Sequence, residues 1–153
     1  LSRVGPDILD RELTAGDIAA RLAEPRFRPR ALGSLYLDQA FHAGHGNYLR
    51  SEILWASGLA PARKPVSLTR AERAKLARQT LQVARRSYRT RGVTVTPSLA
   101  KTLKSDGLSF QQYRFYVFGR EGLPCHRCGT SIERHAMGSR NLFTCPTCQP
   151  ADR

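Results

Sequence analysis

Cysteine is absent before residue 125, and all four cysteines then fall between 125 and 148. Long apolar runs are absent as well. Nothing approaches the ~20 residues of a membrane-spanning helix, and Arg3, Asp7, Asp10 and Arg11 interrupt any signal-like stretch near the start. The reading is a soluble protein with no membrane partner. Position 1 is Leu rather than Met, which reads as an excised or processed segment. Lysine is scarce: Lys64, Lys75, Lys101 and Lys104 are the full complement among 25 Lys and Arg. Acidic residues are scarce in one part only. Residues 1–53 hold seven Arg and seven acidic residues, whereas the remainder holds 18 Lys and Arg against five acidic residues, so the whole +13 charge lies there. A one-sided excess points to a polyanion partner. Arginine forks onto phosphate and stacks on bases, which suits nucleic acid better than a merely soluble basic protein.

The 153 residues amount to one ordinary domain or two small ones. Residues 1–12, with Gly5-Pro6-Asp7, read as a linker. Thr14 caps a short helix to about Ala23, with Ile18 and Leu22 on one face. Pro29 suits the start of a second helix running to about Phe41, apolar around most of its circumference and so central to a core. Gly44-His45-Gly46 breaks it, and Asn47 caps a third helix to about Ala56. Thr69 and Glu72 have capping-box spacing and open a long fourth helix to about Tyr88. Its expected inward seam is Ala74, Ala77, Leu81, Ala84 and Tyr88, and Arg73, Arg78, Arg85, Arg86 and Arg89 cover the rest. Residues 91–111 read as a mobile loop, and Tyr113 to Phe118 alternate like a strand. The fold class is mainly α with a small β unit that bears the cysteines. The expected division is 1–12 linker, 13–112 helical domain with loop, and 113–150 the cysteine-bearing β unit.

The strongest signal is Cys125-x2-Cys128, sixteen residues, then Cys145-x2-Cys148. Each pair lies on a tight turn, so two thiolates reach one ion, and two turns complete a tetrahedron with Zn–S near ~2.3 Å. Between them a hairpin is expected, Ser131 to Ala136 and Asn141 to Thr144, turning at Gly138-Ser139. Iron or a disulfide pair are the alternatives to zinc. His126 and His135 are possible ligands, but four cysteines already fill the site. One Zn²⁺ of structural type is expected, because no open position is left to activate water and so small a unit needs metal to fold. Arg140, beside the hairpin turn, either reaches outward or is an ordinary solvated residue.

The junction Gly44-His45-Gly46-Asn47 is the second signal. Glycines let a backbone approach a phosphate closely, and the N–H groups opening the third helix favour an anion. The alternative is an ordinary helical hairpin capped by Asn47. Tyr48 and Trp55 suit a core; Arg50 and Glu52 flank the junction, as site residues or as structural ones.

Together these elements resemble the C-terminal region of the bacterial endonuclease VIII and formamidopyrimidine-DNA glycosylase family. The matching runs are Val4-Gly5-Pro6-Asp7, Asp38-Gln39-Ala40-Phe41, Gly44 through Trp55, Ser87 through Gly92, Phe115 through Arg120, and Cys125 through Cys148 with Ser139-Arg140. The resemblance implies a helix–two-turns–helix domain followed by a four-Cys zinc β-hairpin. It implies that Gly46, Asn47 and Arg140, with Arg50 beside them, bind DNA phosphates around an extruded nucleotide, and that Glu52 supports the site. It implies a base-excision-repair glycosylase and AP lyase acting on oxidised bases, with double-stranded DNA carrying a damaged base or abasic site as partner. The expected setting is the bacterial cytoplasm, nucleoid-associated, and the expected state is a monomer. The family nucleophile is an N-terminal Pro amine on a preceding domain. Pro6, its nitrogen locked in a peptide bond, cannot replace it, so no catalytic residue is expected in this segment and a missing N-terminal domain is the expected partner. The alternative is a free-standing zinc-containing nucleic-acid-binding module without catalysis.

Overall fold

A computed structural model describes residues 7–38, 41, 47–137 and 140–151. The element order is α1 (Ala15–Leu22), α2 (Leu32–Leu35), α3 (Asn47–Ser57), a 3-10 turn (Pro65–Ser67), α4 (Arg70–Arg89), α5 (Pro97–Ser105), α6 (Phe110–Tyr113), β1 (Glu133–Met137) and β2 (Arg140–Thr144).

Both anticipated N-terminal caps of helices α1 and α4 form. The Thr14 hydroxyl accepts from Asp17 N at 3.1 Å while the Asp17 carboxylate accepts from Thr14 N at 2.9 Å. Thr69 and Glu72 repeat the arrangement, satisfying N–H groups that a helix start leaves without partners. α1 packs Ile18 and Leu22 toward α4.

The second helix is far shorter than expected. Leu32, Leu35, Tyr36 and Phe41 are all buried, but after Tyr36 the chain continues through three-residue turns, Leu37 N to Ser34 O and Asp38 N to Leu35 O. Arg30 reaches Asp38 at 2.5 Å across this turn. The apolar content that suggests a long helix belongs instead to a tightly wound core segment. A Cβ on Gly33 would displace the Met137 side chain, colliding with its Sδ, and would press on Pro61 Cβ at 3.0 Å.

The α4 seam also differs. Its buried residues are Leu76, Ala77, Thr80, Leu81, Val83, Ala84 and Ser87, whereas Tyr88 is 70% exposed. Two polar residues belong to the seam because they pair across helices: Thr80 bonds Tyr36 Oη at 2.8 Å and Ser87 bonds Tyr48 Oη at 2.9 Å. An apolar count passes over such positions.

Residues 91–111 contain α5, started by Thr96 as cap and Pro97 in the first turn. Residues 113–118 form no strand. α6 ends at Tyr113, and the N–H groups of Tyr116, Val117 and Phe118 turn to the Glu52 carboxylate rather than to a neighbouring strand. The hairpin forms with Glu133 opposite Thr144 and Met137 opposite Arg140.

Two buried clusters result. The first joins Ile8, Ile18, Leu22, Phe27, Leu32, Leu35, Ile53 and Leu76 with their neighbours. The second joins Trp55, Val117, Ile132 and Phe143 to Cys125 and Cys145. α3 contributes to both, Ile53 and Leu54 to one and Trp55 to the other.

Candidate nucleic-acid interface and metal centre

The four cysteines converge. Their Sγ atoms all lie within 4.8 Å of one another, with Cys125–Cys148 at 3.9 Å and Cys128–Cys145 at 3.4 Å, and none is disulfide-bonded. Sulfurs about 3.8 Å apart are what a tetrahedron with Zn–S near ~2.3 Å requires, so the donor set fits zinc. Backbone N–H groups already point at the sulfurs, Arg127 N to Cys125 and Cys148 N to Cys145, each at 3.4 Å. The Thr130 hydroxyl and N–H draw the Cys128 thiol down to about 6. Burial pushes Cys145 and Cys148 up, so those two need a metal to become thiolates at neutral pH. His126 and His135 lie outside this sulfur cluster.

The cysteine unit is fastened to α3 along its length. Arg127, between two of the cysteines, lies 4.1 Å over the Trp55 ring, and Trp55 stacks on Tyr116 at 4.2 Å. Gln149 accepts from Cys145 N at 2.9 Å and donates to Leu59 O at 3.0 Å. β2 shows its outer edge to α3, where residues three and four apart share a face. Ser51 Oγ accepts from Phe143 N at 3.0 Å. The Asn141 carbonyl accepts from Asn47 Nδ2 at 3.2 Å and from Arg50 at 3.3 Å. A strand edge that would otherwise stand open is thus covered by polar side chains of one helix.

These contacts bring three sequence candidates together: Asn47 at the start of α3, Arg50 one turn on, and Arg140 at the start of β2. Gly46 lies outside the described residues, as do His45 and Ser139. Arg50 is wholly buried. Its guanidinium bonds Gly33 O at 2.8 Å, Asn47 Oδ1 at 3.0 Å and Asn141 O, and its Nε has no partner among the described residues. Its position in sequence suggests a surface contact; the side chain instead faces inward and holds Asn47 and the hairpin. Burial, and after it the positive charge of Arg140, lowers Arg50 to about 10. A guanidinium still keeps its proton there, so two cations stand close together, and among the described residues Arg50 bonds neutral oxygens only. Such a pair favours an incoming anion. Arg140 is exposed and Asn47 half-buried, so these two face solvent.

Glu52 is buried on the neighbouring side of α3. Its carboxylate accepts from the Thr94 hydroxyl and from the N–H of Tyr116, Val117 and Phe118 at 2.6, 2.8 and 2.9 Å. Burial pushes its pKa up, and the four donors pull it back in part. It clamps the 116–118 segment to α3 and has no surface from which to reach a substrate. Thr94, Asn141, Ser51 and Gln149 carry no mark in the sequence: Ser51 and Gln149 bond main-chain atoms, Asn141 acts through its own carbonyl, and Thr94 meets Glu52 across 42 positions.

Residues 4–98 match the model of the formamidopyrimidine-DNA glycosylase H2TH domain, and residues 122–151 match the zinc finger found in FPG and IleRS. Endonuclease 8 of Enterobacter sp. (strain 638) is 49% identical over 149 residues, covering 97% of this chain and 53% of the relative. Endonuclease 8 of Klebsiella pneumoniae is 48% identical over the same shares. The chain spans about half the length of the curated relatives it matches. Among solved structures, the MutM (Fpg) protein of Thermus thermophilus superposes with a TM-score of 0.76 at 34% identity, covering 99% of this chain and 55% of that one. Lactococcus lactis Fpg, solved with DNA containing an abasic site, has the same fold at 22% identity and TM-score 0.76, covering 97% of this chain and 52% of that one. The zinc finger match and the four-cysteine cluster together support a zinc ion. With the H2TH model matching well over half its length, the chain belongs to the formamidopyrimidine-DNA glycosylase family.

Proposed function

We propose that this chain is the DNA-binding C-terminal region of a base-excision-repair glycosylase and AP lyase acting on oxidised bases, and that it holds phosphates around the lesion. The observation carrying this reading is the pairing of Asn47 and Arg140 at one solvent-facing point, joined through Asn141 and Arg50. Asn47 and the opening N–H groups of α3 supply neutral donors, and Arg140 supplies a charged fork. Gly46, having no Cβ, sets no side chain between backbone and phosphate. Arg50 braces this arrangement from inside, and Glu52 holds the adjoining 116–118 segment. A nucleotide turned out of the stack must be held against restacking, and paired phosphate contacts do this.

One structural zinc held by Cys125, Cys128, Cys145 and Cys148 fixes the hairpin that presents Arg140. The metal supplies cross-linking of two turns, with all four positions taken by protein sulfur. The proposed division is a 1–12 linker, a 13–112 helix–two-turns–helix domain and a 113–150 zinc ribbon; the two hydrophobic clusters support a helical unit and a ribbon unit, although Ile8 packs into the first cluster and Trp55 into the second. Base removal and strand cleavage belong to an N-terminal domain carrying the nucleophile. The chain acts as a monomer in the bacterial cytoplasm, associated with the nucleoid; no helix of the described residues is long and apolar enough to cross a membrane. DNA with an abasic site, the ligand of the Lactococcus lactis structure, is the natural probe. In a fluorescence-anisotropy titration with such a duplex, at a temperature where both proteins are folded, Asn47→Ala weakens binding several-fold, alongside a loss of stability from its bonds to Asn141 and Arg50. Unchanged affinity would remove Asn47 from the interface.

A further inference from the structure

α4 carries a second charged surface that the lesion grip does not use. Lys75, Arg78, Gln82, Arg85 and Arg89 recur at spacings of 3, 4, 3 and 4, so they form one stripe along the helix. The stripe lies opposite the buried face formed by Leu76, Ala77, Thr80, Leu81, Val83, Ala84 and Ser87, which is the face turned to α1 and α3. Lys75, Arg78 and Arg89 are exposed, and among the described residues none of the three has an ion pair. The one acidic residue of α4, Glu72, is held by Arg63 at 3.1 Å and does not neutralise the stripe. Arg85 is partly engaged, donating to Asp10 O and Leu13 O.

At the C-terminal end of the stripe, Tyr88 stands 70% exposed beside a hollow of about 370 Å³ lined by Leu9, Arg11, Arg85, Tyr88 and Arg89. An exposed aromatic ring among arginines suits contact with a sugar–phosphate chain, with the guanidiniums on phosphate and the ring against sugar. From Lys75 to Arg89 the helix rises ~21 Å at 1.5 Å per residue, about the axial length of six base pairs at 3.4 Å each.

We infer that this stripe binds the backbone of a second segment of duplex DNA, so that the chain bridges two duplexes. The stripe lies on the side of α4 opposite the face that meets α3, the helix Asn47 opens, so the two surfaces are turned in different directions. The inference rests on the reading of the chain as a DNA-binding region, and the experiment separates the two.

A duplex with an abasic-site analogue is immobilised, the chain is bound to it, and retention of a second, labelled undamaged duplex is measured. The wild-type chain retains the labelled duplex, and rising salt releases it. The triple variant Lys75→Gln, Arg78→Gln, Arg89→Gln, all at exposed positions in a residue type that favours helix, loses most of this retention. Its one-to-one affinity for the abasic duplex stays within about twofold. Neutralising three cations lowers the salt slope of the second binding event by about 2.7, at 0.9 per phosphate contact. Arg140→Ala acts in reverse, weakening capture on the abasic duplex while leaving stripe binding to undamaged duplex in place. Retention by the triple variant equal to wild type would overturn the inference. So would release of the labelled duplex by single strands as readily as by duplex, which assigns the stripe to another ligand. Absence of binding to either duplex by the wild-type chain would sink the underlying DNA-binding reading itself.

Discussion

The Asn141 carbonyl accepts a hydrogen bond from Asn47 Nδ2 at 3.2 Å, across 94 positions of sequence. Asn47 opens α3 and Asn141 is the second residue of β2. The bond therefore fixes the metal-bearing hairpin relative to the start of the helix, and places Arg140 where its charge is felt by Arg50. Two units with separate hydrophobic clusters act as one surface because polar side chains of α3 hold the edge of β2.

Arg140 is the charged member of that surface. Arg140→Ala is expected to weaken duplex binding and to lower the slope of log affinity against log salt by about 0.9, the loss of one phosphate contact. Titrations at several salt concentrations check both. An unchanged slope would mean that Arg140 touches no phosphate.

Glu52 is a structural clamp. Glu52→Ala leaves three main-chain donors without their acceptor, Thr94 keeping Arg114 O, and is expected to cost roughly 2–4 kcal/mol of unfolding free energy, given the penalty for unpaired buried donors. Denaturant melts measure it. The carboxyl is also raised above its ordinary 4.5 by burial. In the window from 4.5 up to that raised value the folded chain binds more protons than the unfolded one. Its contribution is then fully present below the ordinary value and is lost as pH rises through the folded value. Glu52→Gln, which does not titrate, removes this pH dependence from the melting curve. A wild-type and a Glu52→Gln profile of equal slope through this window would contradict the assignment.

A structural zinc at the four cysteines, as proposed, would hold the second cluster together. Cys145→Ser, or removal of zinc by a chelator, is expected to abolish bound metal and to loosen Ile132 and Phe143 from Trp55. Trp55 is the sole tryptophan, stacked between Arg127 and Tyr116, so its emission should shift to the red as water reaches the ring. Metal analysis and fluorescence together test this. A variant that keeps both its zinc and its Trp55 emission would refute a structural four-cysteine site.

Gly33 joins the helical core to the hairpin through Met137. Gly33→Ala is expected to cost roughly 1–3 kcal/mol, as overpacking does, and Met137→Ala should restore part of the loss by vacating the space. A melting temperature unchanged by Gly33→Ala would mean that this contact is not close in solution.

What is legible in the sequence follows local chemistry. The Thr14 and Thr69 caps depend on side chains three residues away, and the Cys-x2-Cys pairs carry their geometry in their spacing. The α2 segment departs from its sequence pattern because its many apolar residues resemble a buried helix, while the chain after Tyr36 runs in turns spanned by the Arg30–Asp38 pair. Tyr88 has the right spacing from Ala84 for the core, yet Thr80 and Ser87 shift the true seam and leave its ring outside. The 113–118 stretch alternates like a strand, but the N–H groups of Tyr113 and Arg114 close the α6 turn and those of Tyr116, Val117 and Phe118 are taken by Glu52, sixty-odd residues earlier. Asn47 and Arg140 each stand out individually; that Arg50 and Asn141 join them depends on long-range main-chain contacts, which no sequence period encodes.

The most direct measurement is a fluorescence-anisotropy titration of the chain with duplex DNA, with and without an abasic-site analogue, at several salt concentrations. Tighter binding to the analogue, with a steep salt dependence, is the result expected if Asn47 and Arg140 hold phosphates around an extruded nucleotide. Equal affinity for both duplexes, or binding indifferent to salt, would contradict a lesion grip carried by this chain.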